Sequence, residues 1–167
     1  MRPKESKVKE LGNRILAILI FLILSPLILL MLFAYPSSVL RDLSLGYRVK
    51  RHWFPNKKYI LFVYSNSPNW KEYIETSILP KIAANAVTVN WSERADWPAD
   101  SLETLIFENW AGKQDFNPIA IIFIPWFRPR ILRFWKAFKD FKHGKEKPLK
   151  NLENQMFEIL LKAEAVK

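Results

Sequence analysis

Few side chains in this 167-residue chain are equipped for chemistry, and their identities rule out more than they suggest. There is no cysteine, and the two histidines are His52 and His143. That supply excludes the common zinc sites, and no metal is expected. A Ser-His-Asp relay would have to use His52, in a run of cations, or His143, in the turn-like Lys142-His143-Gly144. Neither position suits a general base. The four glycines, at 12, 46, 112 and 144, form neither a GxGxxG fingerprint nor a P-loop. The usual phosphate cradles are therefore missing, and no cofactor is expected.

Carboxylates and guanidinium groups remain. Glu93, Asp96 and Asp115 are the acids that could act as acid or base, and nothing in their spacing assigns a catalytic residue. Three loops follow short apolar runs: Ser65-Asn66-Ser67-Pro68-Asn69, Asn90-Trp91-Ser92-Glu93-Arg94 and Pro125-Trp126-Phe127-Arg128. Ligands of open α/β sheets bind outside the carboxyl ends of the strands. Asn66, Ser67, Asn90, Ser92, Glu93, Arg94 and Arg128 are thus the candidate ligand-binding set, with Arg94 and Arg128 to meet an anion. Ser and Asn also serve as ordinary turn and cap residues, which is the competing use of the same positions.

The elements that would position these loops follow from apolar periodicity. Tyr59–Tyr64, Ala86–Asn90 and Ile119–Ile124 read as strands, the last apolar throughout, as in a sheet covered on both faces. Asn69 followed by Glu72, and Asp100 followed by Glu103, mark two helix starts, with Gly112 closing the second. Ile131–Phe141 reads as a third helix, and Pro148 opens a fourth with Leu149, Leu152, Met156, Ile159 and Leu160 inward. The order β-α-β-α-β-α-α implies right-handed crossovers. The expected fold class is α/β: a small three-layer domain over 59–167 with a mainly parallel sheet of about three strands.

Ahead of that domain, residues 15–35 carry no charged side chain. As a helix, this stretch is about 31 Å long, near the hydrocarbon thickness of a bilayer. It exceeds a secretory signal's apolar region and leaves through Phe33-Ala34-Tyr35-Pro36, a poor cleavage site. A retained single transmembrane helix is expected, kinked at Ser25-Pro26. It is preceded by a basic tail, 1–14, and followed by a basic juxtamembrane connector, 36–58.

Charge is segregated along the chain. The tail carries +3, the connector +5, residues 59–125 carry −4, residues 126–150 carry +7 and residues 151–167 carry −1. Cations flank the apolar run almost equally, so the positive-inside rule gives little direction. The domain is expected on the cytoplasmic side, where segment 126–150 would gain most from anionic lipid.

In that segment Phe127, Ile131, Phe134, Trp135, Phe138 and Phe141 alternate with cations. Arg48, Lys50, Arg51, Arg130, Arg133, Lys136 and Lys139 are the expected membrane-surface contacts, and an anionic bilayer the expected partner. The aromatic stripe could equally pack on the sheet, with the cations as its solvated face. The resulting functional expectation is a single-pass, membrane-anchored interaction or scaffolding module, with protein partners. The alternative is a tethered enzyme or ligand-binding domain acting on an anionic small molecule. Nucleic acid is the least favoured partner, because the body of the domain is acidic.

Overall fold

The computed structural model describes residues 3–166, and for residues 3–11, 27 and 31–36 the backbone alone. Helix α1 runs from Pro3–His52. Within it, Gly12–Leu30 is long and apolar enough to cross a membrane, and none of that stretch is buried by the rest of the chain. Pro26 has no N–H to give the Leu22 carbonyl, and the Ser25 hydroxyl donates to that oxygen at 3.4 Å instead. The helix is continuous through Pro26 and Pro36, so residues 36–52 of the expected connector are helical.

Residues up to Leu43 form one compact unit, and Ser44–Lys167 form a second. The second unit is built on four strands in the order β2-β1-β3-β4: β1 (Ile60–Tyr64), β2 (Ala86–Asn90), β3 (Ile119–Ile122) and β4 (Arg130–Arg133). β1 and β2 are parallel, with Ile60 opposite Ala86 and Tyr64 opposite Asn90. β3 runs antiparallel to β1, with Ile60 opposite Ile122, and β4 runs antiparallel to β3. The sheet is therefore mixed and four-stranded, which corrects the expectation of about three mainly parallel strands. Continuous apolarity in Ile119–Ile122 reports burial on both faces and carries no information about strand direction.

The fourth strand replaces the start of the expected helix Ile131–Phe141. Leu132 is buried in the core on one face of the sheet while Ile131 packs against the core on the other, a change of side between successive residues that marks a strand inside an aromatic-rich run. The helix, α5, begins only at Trp135 and ends at Lys142.

Both faces of the sheet are covered. Ile60, Phe62 and Tyr64 point to one side, with Ile74, Ile78, Ile82, Phe134, Phe138, Leu149, Met156 and Leu160. Leu61 and Val63 point to the other, with Ile106, Phe107, Ile119, Ile121 and Leu45, Val49 and Trp53 from the end of α1. The first layer holds α2 (Lys71–Tyr73), a π turn at Ile74–Ile78, α3 (Leu79–Ile82), α5 and α6 (Lys147–Ala165). The second holds α4 (Leu102–Trp110) and the last turns of α1. The three-layer expectation holds.

Two local features follow from sequence. Pro80 cannot donate to the Thr76 carbonyl, while the Thr76 hydroxyl donates to the Glu72 carbonyl at 2.7 Å. Both loosen the i→i−4 ladder where the helix widens into its π turn. Helix α4 is capped by Ser101, whose hydroxyl accepts from the Thr104 N–H at 3.2 Å, and not by Asp100 one residue earlier.

Candidate functional site

Antiparallel β3 divides the expected ligand site. The carboxyl ends of β1 and β2 lie at one end of the sheet, and the loop after β3 lies at the other. There the Phe123 N–H donates to the Tyr59 carbonyl, just ahead of β1, at 2.8 Å. Arg128 belongs to that far loop and does not join the remaining candidates.

Those remaining candidates do meet, and they bond mainly to one another. Asn90 caps the 3-10 turn Trp91–Asp96, its Oδ1 accepting from the Ser92 N–H at 3.0 Å. Its amide nitrogen donates to Asn66 Oδ1 at 3.0 Å and to Glu93 Oε1 at 2.9 Å. The Ser92 hydroxyl in turn accepts from the Asn66 N–H at 3.0 Å. Both amide protons of Asn90 are thus used, and the loops after β1 and β2 are tied together. Ser67 accepts from the Asn69 N–H at 3.4 Å, a local turn bond. Arg94 lies over the Trp91 ring at 4.8 Å.

Beneath this network, the Tyr64 hydroxyl donates to Glu75 Oε1 at 3.0 Å. Burial, that bond and the nearby carboxylates of Glu75 and Glu93 push the phenol up to about 12. It is a donor at neutral pH and cannot serve as a base there. No family model, no curated protein and no solved structure matches this chain.

A second polar cluster escaped the sequence reading. Glu153 sits on the inward face of α6 and is only 3% exposed. The Tyr73 hydroxyl donates to its Oε1 at 2.6 Å, and Lys150 Nζ donates to the Tyr73 hydroxyl at 2.7 Å. Lys150 also lies 3.7 Å from Glu153 Oε2. Burial and the bond to Glu153 raise the Tyr73 phenol above its usual range, partly offset by Lys150. The bond to Tyr73 is the main cause that raises Lys150. The arrangement holds a buried carboxylate by one hydrogen bond and one ion pair and ties α2 to α6. Its signal was available in the sequence: a glutamate among Leu149, Met156 and Leu160 on one helical face.

The expected membrane-surface cations have separate fates. Arg133 Nη1 donates to the carbonyls of Ala111 at 2.6 Å and Gln114 at 2.9 Å, closing the end of α4. It works as an internal clamp. Arg48 reaches the Asp100 carbonyl at 3.4 Å. Lys50 lies 3.6 Å over the Trp126 ring, and Lys139 lies 5.3 Å over Trp135. Arg51 and Lys136 are exposed. Arg130 lines a cavity of about 500 Å³ between β4 and α6, with Ile131, Glu158, Ile159 and Lys162. The aromatic stripe around α5 mostly packs inward, since Phe134, just ahead of the helix, and Phe138 are buried in the first layer and Phe141 packs against it. His52 and His143 are both exposed. Among the described residues, no cluster of His, Asp and Glu could hold a metal ion.

Proposed function

We propose that the chain is a single-pass membrane protein whose α/β unit acts as an interaction module at the membrane surface, on the cytoplasmic side. One observation carries this reading. The polar side chains at the ends of β1 and β2 are largely spent on one another, whereas the exposed rings Tyr47, Trp126, Phe127 and Trp135 stand among the exposed cations Lys50, Arg128, Arg130 and Lys136. A loop network of that kind stiffens a surface and leaves little free hydrogen-bonding capacity for a small substrate. The apolar stretch of α1 supports anchorage, and the +7 segment supports the anionic leaflet as neighbour. Protein partners are expected at the exposed surface.

The experiment separates anchorage from chemistry. Membranes holding the full chain are washed with alkaline carbonate and with high salt, and the chain is expected to stay in the pellet after both. The detergent-solubilised chain is then melted with nucleotides, sugar phosphates and carboxylates. A rise in Tm with one of these, lost in Arg94→Ala, would replace this reading with that of a tethered enzyme or ligand-binding domain.

A further inference from the structure

The connection between β3 and β4 is built against the ordinary rules of turn chemistry. The Phe127 N–H donates to the Ile124 carbonyl at 3.1 Å, closing a turn with Pro125 and Trp126 at its centre. Trp126 has φ +70°, a left-handed conformation that this position of a turn reserves for glycine. A bulky aromatic there is strained, and it gains little from burial. Trp126 is 80% exposed and Phe127 68%, the two most exposed large apolar side chains among the described residues of Ser44–Lys167. Pro125 is buried and Pro129 half-buried, so the tip stands on a rigid base.

The surroundings are cationic. Lys50 Nζ covers one face of the Trp126 ring at 3.6 Å. Arg128 and Arg130 follow the tip, and no carboxylate occurs between Asp115 and Asp140. On the last turns of α1, Tyr47 is exposed one turn from Lys50, while Leu45 and Val49 on the opposite face are buried in the unit. Exposed Trp and Phe amid like-charged Lys and Arg is the composition that a headgroup region receives. A protein partner of complementary acidity would pair the cations, but it would not by itself call for two largely exposed rings at the apex of a rigid turn.

We propose that Trp126 and Phe127 form a wedge that inserts into the headgroup and upper acyl layer of an anionic bilayer, with Lys50 and Arg128 pairing lipid phosphates and carboxylates. This inference rests on the membrane-surface reading above and names the element that makes the contact. The strain at Trp126 then has a use, since glycine would relax the turn and remove the ring.

The test uses the full chain, which has no native cysteine, so a single introduced thiol is a unique labelling site. Variants Leu24→Cys, Phe127→Cys and Thr88→Cys each carry an apolar fluorophore. They are reconstituted in bilayer discs of phosphatidylcholine and phosphatidylserine containing nitroxide lipid. The wedge predicts lipid quenching at positions 24 and 127, but not at 88, an exposed position on β2. Lys50→Gln and Arg128→Gln should each lower the inserted population about fivefold. Trp126→Gly should keep its far-UV dichroism, hold or raise Tm and lose quenching at 127. Quenching at 24 with none at 127 overturns the wedge and leaves the anchor standing. Absence of quenching at 24 overturns the anchor itself. Equal quenching at 127 in pure phosphatidylcholine, or in Trp126→Gly, overturns the anionic and aromatic parts of the proposal respectively.

Discussion

Where the independently folding unit begins is a sharp consequence of the structure. Strand β1 starts at Ile60, and a chain cut near Lys57 would contain every strand of the sheet. It would lose Leu45, Val49 and Trp53, all buried against Leu61, Ile106, Ile121 and Phe123. At roughly 2 kcal/mol for each fully buried side chain, that removes about 6 kcal/mol of burial. The edge-on packing of Trp53 against Phe123, with centroids 6.0 Å apart, goes with it. A unit of this size is worth about 6–18 kcal/mol in total, so the loss takes a third to all of its stability. Chains starting at Ser44 and at Lys57 should be compared by urea denaturation, followed by far-UV dichroism and tryptophan fluorescence. With a slope of about 2 kcal/mol per molar urea, the midpoint should fall by roughly 3 M in the shorter chain, or no transition should be seen. Midpoints within about 0.5 M of each other would refute the assignment of these turns of α1 to the core.

Three further outcomes follow from the polar interior. Glu153→Ala should lower stability by about 2–3 kcal/mol in urea denaturation, because it removes the acceptor of the Tyr73 hydroxyl proton and opens a gap, whereas Glu153→Leu should cost less. Arg133→Ala should cost about 2 kcal/mol by the same assay, by uncapping the carbonyls after α4, and Arg133→Lys should recover only part. Tyr64 binds its proton more tightly in the folded state than in the unfolded chain, where it titrates near 10. Its contribution is therefore complete below pH 10 and fades as pH rises toward 12, by about 1–2 kcal/mol after allowing for solvent screening. Thermal melts from pH 9 to 12 should fall less steeply for Tyr64→Phe than for the parent chain; parallel curves would remove Tyr64 from the account.

Part of the site was legible because short-range rules governed it. Asn and Ser in these loops had turn and cap chemistry as their competing use, and Asn90 is a cap. Arg94 beside Glu93 promised an anion site on residue type alone, but the amide of Asn90 turns Glu93 toward the loop network and Arg94 rests on Trp91. The cations of segment 126–150 look alike in sequence. Their roles differ because each depends on what a distant element offers: carbonyls of the α4 end for Arg133, a cavity beside α6 for Arg130.

Local pattern alone was enough for the apolar stretch that could cross a membrane, for β1, β2 and β3 to within two residues, and for the burial of both sheet faces. Each of these depends on side-chain transfer and a period of two or 3.6, which neighbouring residues carry among themselves. The direction of β3, the existence of β4 and the joining of Ser44–His52 to the core lay outside that reach. An apolar strand satisfies its backbone equally well beside a neighbour of either sense. Pairing across more than fifty residues settled which sense it took, and so sent Arg128 away from the loops that were expected to hold it.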